Sequence, residues 1–129
     1  EYNKGISGAL KNSFDWMSRL KPNPFTSKSI AIVSATDGRS GGERSQYMLR
    51  MCLTPFDCKI IQTPEVLIGH SSRAFNDAGD LTDEKSNELL DKLLEKFLAQ
   101  SSIKCFWNAD RQSHFGQIKC SHKKILEKI

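Results

Sequence analysis

One short apolar run constrains the fold of this 129-residue chain more than any other feature. Residues 29–34 read Ser-Ile-Ala-Ile-Val-Ser, in which four consecutive apolar residues follow one another without a polar residue between them. A half-exposed strand alternates apolar and polar side chains, whereas a strand covered on both faces is apolar throughout. The run therefore predicts a strand in a parallel sheet that has helices on both faces.

The segments around this run predict helices and strands in alternation. A first helix is expected over residues 7–20, with Ser7 as its N-cap. A second strand is expected over 58–63, leading to Pro-Glu-Val-Leu-Ile-Gly (64–69) and then a loop. Between the strands, a helix ending near Leu53 is expected to bury an apolar face made of Tyr47, Met48, Met51 and Cys52.

A third helix has the strongest pattern, with Thr82 as the predicted N-cap. Its broad apolar stripe consists of Leu89, Leu90, Leu93, Leu94, Phe97 and Leu98. The resulting order is a βαβ unit with a helix before and after it. Because two strands cannot cover three apolar helix stripes, we expect the chain to be part of a larger α/β domain, with the opening loop following a strand outside this sequence.

The net charge of +4 is confined to the end of the chain. Residues 1–100 contain 13 basic and 13 acidic residues, whereas residues 101–129 contain 6 and 2. This distribution argues against nucleic-acid binding by the chain as a whole and restricts any anionic partner to the tail. No apolar run reaches the roughly 18 residues that span a bilayer, so no membrane segment is expected. A reducing, cytoplasmic setting is expected, because no CxxC spacing or secreted-type cysteine density occurs among Cys52, Cys58, Cys105 and Cys120.

Two loops lie where open α/β sheets bind their ligands, beyond the carboxyl ends of the strands. One is the opening segment 1–3, and the other is the glycine-rich segment 35–42. Glycine allows close approach of the backbone to a flat or anionic ligand, with N–H groups as donors. The glycine-rich segment is neither a G-x-G-x-x-G fingerprint nor a Walker sequence. Taken alone, such a segment is more often only a turn.

Four segments, in order, resemble the NADPH-dependent FMN reductase family over residues 1–98. They are EYNKGISGALKNSFDWMSR, SATDGRSGGERSQYMLRMCL, PEVLIG and AFNDAGDLTDE. The resemblance implies a flavodoxin-like α/β fold, a doubly wound parallel sheet with FMN at its switch point. It also implies transfer of hydride from NAD(P)H through FMN to a quinone, azo compound or metal oxyanion. Because the cofactor makes and breaks the bonds, we expect no catalytic acid, base or nucleophile, and we interpret His70 as a solvated loop residue.

The resemblance further implies a set of cofactor contacts. Beside the flavin ring it implies Glu1, Tyr2 and Asn3; the alternative for Tyr2 is an exposed terminal residue, which is favoured if the chain is an isolated fragment. Around the ring from the neighbouring strand end it implies Ala35, Thr36, Asp37, Gly38, Arg39, Ser40, Gly41 and Gly42. The family's Ser/Arg-rich phosphate loop has no counterpart in these residues, so we expect the chain alone to bind FMN poorly or not at all. The alternative is a non-catalytic module that docks onto a partner or an intact homologue.

A homo-oligomer is also implied by the resemblance. Arg44, Tyr47 and Glu65 match positions near the family's subunit contact, and the alternative is an ordinary solvated helix face.

Residues 99–129 do not resemble the family, and we interpret them as a divergent basic tail. Zinc binding is not expected, because no familiar ligand spacing joins Cys105, His114, Cys120 and His122. Stacking on single-stranded nucleic acid, which would use Phe106, Trp107 and Phe115, has no sequence motif to support it.

Overall fold

The computed structural model describes residues 1–101. The predictions made for the basic tail, including the cysteine and histidine residues weighed for zinc and the aromatic residues weighed for nucleic acid, lie outside the described residues.

The described part alternates helices and strands as the sequence predicts. The helices are α1 (Gly8–Met17), α2 (Glu43–Leu53) and α3 (Glu84–Gln100). The strands are β1 (Ser29–Ile30), β2 (Val33–Ala35), β3 (Lys59–Ile60) and β4 (Val66–Ile68). Two single-turn 3-10 helices cover Thr54–Phe56 and Ser71–Arg73.

All strand pairs are parallel, as predicted, but the run 29–34 is not one continuous strand. β1 pairs with β3 and β2 pairs with β4, so that Ile30 lies opposite Ile60 and Val33 opposite Val66. From the first pair to the second, the segment that carries β1 and β2 advances three residues, from Ile30 to Val33. The segment that carries β3 and β4 advances six, from Ile60 to Val66. The extra residues include Pro64, which has no N–H for the ladder and so interrupts the pairing. Residues 64–69, expected to lead into a loop, contain β4.

Helices cover both faces of the paired strands. One hydrophobic cluster joins α3, through buried Leu93, to Ile61, Val66 and Ile68. The other face carries α1 and α2, with a cluster that contains Phe14, Ile32, Leu53 and Phe56. Neighbouring residues such as Ile60 and Ile61 therefore belong to opposite clusters, because successive side chains of a strand point to opposite faces. This burial on both faces explains the absence of polar alternation in the run 29–34.

The helix caps match the sequence prediction at α1 but not at α3. Ser7 is the N-cap of α1, where its Oγ accepts a hydrogen bond from the Leu10 N–H at 3.2 Å. The predicted cap Thr82 is wrong, because Asp83 Oδ2 accepts the bond from the Ser86 N–H at 2.7 Å. Thr82 Oγ1 instead donates to the Ala74 carbonyl, which ties the preceding loop to the start of the helix.

The buried face of α2 is also different from the predicted one. Tyr47 and Met51 were expected to be buried, but they are 54% and 69% exposed. The side chains that face the strands are Ser45, Gln46 and Leu53, all buried. The helix therefore turns a partly polar face inward, and the reason lies in the hydrogen bonds of Gln46 described below.

No helix within residues 1–101 is both long enough and apolar enough to cross a lipid bilayer.

Candidate flavin-binding loops

The opening loop is a tight turn that packs against α2. Tyr2 and Gly5 exchange two backbone hydrogen bonds, of 2.8 and 3.1 Å, around Asn3 and Lys4. Both central residues have positive φ angles, 47° and 66°. A Cβ at Gly5 would lie 2.8 Å from Met48 Sδ, so the turn packs directly against the Met48 side chain of α2.

The opening loop contacts the first turn of α2, the helix that follows the glycine-rich loop. Glu1 Oε2 accepts a hydrogen bond of 3.4 Å from the backbone N–H of Ser45. A carboxylate beside the first turn of a helix is favourable, because the N–H groups there carry a partial positive charge. The structure thus brings the opening loop to the start of a helix 44 residues further along the chain.

Two glycines of the second loop are required by packing against the protein itself. Gly41 has a φ of 61°, and a Cβ there would lie 2.5 Å from the carbonyl carbon of Leu67. Gly42 has a φ of 91°, and its Cβ would lie 2.9 Å from Ser34 Oγ. Ser34 Oγ also donates to the Gly41 carbonyl over 2.6 Å. These contacts hold the end of the loop against β2 and β4.

The front of the same loop is more open. A Cβ on Gly38 would meet only Thr36 Oγ1, at an ordinary contact distance of 3.6 Å. Within residues 1–101, the backbone N–H groups of residues 37–40 donate no hydrogen bond to another protein atom. Consecutive unpaired N–H groups are the donors with which loops bind anionic and polar ligand atoms.

Asp37 connects the open part of the loop to the turn after β4. Its Oδ1 accepts hydrogen bonds from Ser72 Oγ at 2.6 Å and from the Ser72 N–H at 3.3 Å. These two bonds lower the pKa of the Asp37 carboxyl, and the charges of His70 and Arg73 act in the same direction. Asp37 is therefore an ionised anchor for the loop.

A groove of about 400 Å³ lies beside these loops, between α1, α2 and β2. Glu1 and Tyr2 form part of its wall, but no residue from 35–42 does. Its apolar lining includes Ile6, Leu10 and Leu49. The groove therefore extends from the opening loop along the edge of the strands, away from the glycine-rich loop.

Gln46 is a buried polar residue at the wall of this groove. Its Nε2 donates to Ser34 Oγ and to the Val66 carbonyl, both at 2.9 Å. The orientation of the amide is fixed, because a carbonyl can only accept a hydrogen bond. Its Oε1 is buried and accepts no hydrogen bond from residues 1–101. An unpaired buried acceptor is costly, which marks this point of the groove as a place for a donor.

Sequence reasoning missed several residues that build this region. Ser72 donates hydrogen bonds to Asp37, and the backbone N–H of Ser45 donates to Glu1. Gln46 joins α2 to β2 and β4. Gln46 falls within the family-like motif, but no pattern in the sequence indicates that a polar residue on a helix is buried. His70 is exposed, as predicted. Within the described residues, no group of three His, Cys, Asp or Glu side chains could hold a metal ion.

Parallel strands with helices on both faces, and a glycine-rich loop that leads from a strand into a helix, define the class as a flavodoxin-like α/β protein. A solved structure of the same class, the flavoenzyme NAD(P)H:(acceptor) oxidoreductase from Paracoccus denitrificans, superimposes with a TM-score of 0.68 at 28% identity. The match covers 78% of this chain and 56% of that one.

The chain belongs to the NADPH-dependent FMN reductase family, whose model matches residues 1–73. It is 42% identical over 95 residues to an NAD(P)H-dependent FMN reductase of Pseudomonas aeruginosa, a match to 74% of this chain and 51% of that one. It is 46% identical over 97 residues to a probable NADPH:quinone oxidoreductase of rice, covering 73% and 47%. The chain thus spans about half the length of the curated relatives it matches, and the family prediction is confirmed.

Proposed function

We propose that this chain supplies the loops that hold the flavin ring in an FMN-dependent NAD(P)H oxidoreductase. The observation that carries the proposal is that the opening loop reaches the first turn of α2, directly after the glycine-rich loop, through the 3.4 Å contact between Glu1 and Ser45. In the glycine-rich loop that precedes α2, the N–H groups of residues 37–40 donate to no protein atom within residues 1–101 and are available as donors. The relatives named as FMN and quinone reductases support the same assignment.

The residues present fit a flat, polar-edged cofactor such as FMN. Its ring would be held by Glu1, Tyr2, Asn3 and residues 35–42. The N–H groups of the glycine-rich loop suit the oxygen and nitrogen atoms at the ring edge, and the exposed ring of Tyr2 suits its apolar part. When bound, FMN supplies the chemistry of hydride transfer, and NAD(P)H supplies the hydride.

The protein's own contribution is to fix the position of the loop. Asp37 holds the open end of the loop to Ser72, while Gly41 and Gly42 fix the other end against β4 and Ser34. A loop held at both ends loses little conformational freedom when a ligand binds. The donors between these ends are therefore preorganised.

The acceptor is proposed to be a small molecule of the quinone class. Relatives named quinone reductases support this class, including one from Escherichia coli that is 41% identical over 69 residues. Azo compounds and metal oxyanions are further candidate acceptors for the same flavin chemistry.

A chimera tests the proposal directly. The 129-residue chain replaces the matched part of the Pseudomonas aeruginosa reductase, and FMN binding and quinone-dependent oxidation of NADPH are measured. We expect the chimera to bind FMN and to oxidise NADPH, and we expect the 129-residue chain alone to bind FMN poorly. A folded chimera that binds no FMN would refute the proposal.

A pair of matched variants of the chimera tests the role of the glycine-rich loop. Gly38→Val adds a branched side chain at the open part of the loop and is expected to weaken FMN binding. Gly8→Val is the control, because a Cβ at Gly8 meets nothing within 4 Å and this residue lies at the start of α1. Equal FMN affinities for the two variants would exclude the loop from the site.

An exposed face of α2 is proposed as a contact between copies in a homo-oligomer. Arg44, Tyr47 and Met51 lie on one side of the helix at spacings of three and four residues, and all three are exposed. Glu65, the third polar residue of the predicted contact, is half-buried. Sedimentation equilibrium of the chimera and of its Tyr47→Asp variant measures the association. Unchanged association in the variant would exclude this face.

The alternative function, a non-catalytic module that docks onto a partner, is favoured by a separate observation. Within residues 1–101, β4 is the only strand that pairs with β2, so the other edge of β2 and the groove beside it are available for a further element of structure.

A further inference from the structure

We infer that Gln46 is a positioning residue for the flavin site. Through Ser34 it fixes the peptide between Gly41 and Gly42, so that the backbone N–H of Gly42 is held ready to donate to a polar atom of FMN. The inference rests on the proposed function, because it assigns how one donor of that site is oriented. It adds two side chains, those of Gln46 and Ser34, which act through the backbone of the glycine-rich loop.

The first step is the bond from Gln46 to β4. Gln46 Nε2 donates to the Val66 carbonyl over 2.9 Å. Because a carbonyl only accepts hydrogen bonds, the amide nitrogen must face β4, and its second N–H is then directed at Ser34 Oγ, also at 2.9 Å. Gln46 is 2% exposed, so water does not compete for these bonds. The backbone of β4 thus sets the orientation of the whole amide group.

The second step is the bond from Ser34 to the loop. Ser34 Oγ accepts from Gln46, and its own O–H donates to the Gly41 carbonyl over 2.6 Å. A hydroxyl carries a single hydrogen, and here that hydrogen is committed to the loop. The direction of donation is therefore the same at each step, from Gln46 through Ser34 to Gly41.

The consequence for the loop follows from the geometry of the peptide bond. The C=O and N–H groups of a planar trans peptide point in opposite directions. Because the Gly41 carbonyl is directed at Ser34, the N–H of Gly42 is directed away from Ser34. Within residues 1–101 this N–H donates to no protein atom. Gly42 is also the N-cap of α2, where N–H groups carry a partial positive charge.

The other side of Gly42 is fixed as well. Its carbonyl accepts hydrogen bonds from Ser45 Oγ at 2.7 Å and from the Gln46 N–H at 3.1 Å. The backbone of Gly42 is therefore held on both sides of the unpaired N–H. A donor held in this way loses little conformational freedom when a ligand binds. Gln46 contributes to both restraints, one through its side chain and one through its backbone.

Removal of the Ser34 hydroxyl tests the inference in the chimera described above. Ser34→Ala breaks the link to Gly41 but leaves the bond between Gln46 and Val66 in place. We expect the dissociation constant for FMN, measured by flavin fluorescence, to rise about fivefold, as for the loss of one well-placed hydrogen bond. In nuclear magnetic resonance spectra of the parent chimera, we expect the Gly42 amide proton to move downfield when FMN is added. We expect a smaller movement in Ser34→Ala.

Ser29→Ala is the matched control. Ser29 is half-buried on β1, as Ser34 is on β2, and its Oγ donates to the Gln100 carbonyl over 3.0 Å. Each variant removes one bond between a strand hydroxyl and a backbone carbonyl, so similar decreases in melting temperature are expected. The FMN dissociation constant of Ser29→Ala is expected to change by less than about twofold, because its bond lies outside the link to the loop. A general loss of stability is thereby separated from the position of the loop.

A double variant tests whether Gln46 and Ser34 act as one unit. Gln46→Met removes the donor to Ser34, and Ser34→Ala removes the next step. If both act through the Gly41–Gly42 peptide, the double variant weakens FMN binding no more than the stronger single variant does, whereas independent effects would multiply. Circular dichroism establishes that each variant is folded. If Gln46→Met does not fold, the comparison of Ser34→Ala with Ser29→Ala decides.

Three outcomes would overturn the inference while leaving the proposed function intact. They are equal FMN affinities for Ser34→Ala and Ser29→Ala, a Gly42 amide signal in the parent that does not respond to bound FMN, and a response that Ser34→Ala leaves unchanged. Multiplying effects in the double variant would likewise remove Gln46 from the link. A folded parent chimera that binds no FMN would refute the proposed function and the inference with it.

Discussion

Gln46 and Val66 join α2 to β4, the last strand within residues 1–101. Gln46 Nε2 donates to the Val66 carbonyl over 2.9 Å, and both residues are almost completely buried. The same amide group also bonds Ser34 of β2, so one side chain connects the helix to two adjacent strands. This connection explains why α2 turns a polar residue toward the core.

Replacing the buried Gln46 is expected to destabilise the protein more than replacing the exposed Gln62 does. Gln46→Met keeps a similar size but leaves the buried Val66 carbonyl without its donor, at a cost of about 1–3 kcal/mol. Gln62→Met is the control, because Gln62 is exposed and is expected to change stability by less than about 0.5 kcal/mol. Urea denaturation gives both values. Equal losses would show that the Gln46 bonds contribute nothing measurable.

The burial of α2 gives a second test. Leu53 is 2% exposed and Met51 is 69% exposed, although both are apolar residues at the end of the same helix. Leu53→Ala is expected to cost about 2–5 kcal/mol by leaving a cavity in the core. Met51→Ala is expected to cost less than about 0.5 kcal/mol. If urea denaturation gave comparable losses of unfolding free energy for the two variants, the buried face of α2 would include Met51, as the sequence pattern predicts.

Three Gly→Ala variants separate backbone strain from crowding. Gly8→Ala has open space at a helix position and is expected to stabilise the protein by about 0.5–1 kcal/mol. Gly79→Ala also has open space but a φ of 82°, so it is expected to lose about 1–2 kcal/mol through strain alone. Gly41→Ala combines a positive φ with a Cβ that would lie 2.5 Å from the carbonyl carbon of Leu67, so it is expected to lose the most stability of the three. Thermal unfolding ranks them, and a Gly41 variant as stable as the Gly79 variant would contradict the close packing.

The cap of α3 can be assigned by two single variants. Asp83→Ala removes the acceptor for the Ser86 N–H and is expected to lower the melting temperature more than Thr82→Ala does. The hydrogen bonds from Ser86 lower the pKa of the Asp83 carboxyl, so the charged form is the one that caps the helix. A larger decrease in melting temperature for Thr82→Ala would show that Thr82 is the N-cap, as predicted from the sequence.

The lowered pKa of Asp37 predicts that the stability of the protein changes with pH in the acid range. Hydrogen bonds from Ser72 lower its pKa below the ordinary value of 3.8. A carboxyl with a lowered pKa in the folded state stabilises that state above its unfolded pKa, and the contribution is lost as the pH falls through the folded pKa. The difference in unfolding midpoint between the wild type and Asp37→Asn is therefore expected to be constant near neutral pH and to shrink below about pH 4. A difference that is the same at neutral and acid pH would contradict an ionised anchor.

Local patterns in the sequence predicted much of this fold. The uninterrupted apolar run 29–34 indicated parallel strands covered on both faces, and Ser7 indicated the beginning of α1. These predictions hold because strand burial and N-capping depend on residues close together in sequence. The family-like segments also indicated the opening loop and the glycine-rich loop, whose contacts with a flavin stay a prediction. Neither the contact of Glu1 with Ser45 nor the anchor of Asp37 on Ser72 has a signal in sequence spacing, since each joins residues far apart in the chain.

The sequence by itself thus determined the order of the elements, the class of fold and the family. Only the tertiary structure decided where the first strand is broken, which face of α2 is buried and with which strand each segment pairs. The break follows from the register with a second segment that carries Pro64, and the face of α2 follows from hydrogen bonds between Gln46 and two strands. Each of these outcomes depends on partners that the chain brings together only when it folds, so the pattern of one segment cannot specify them.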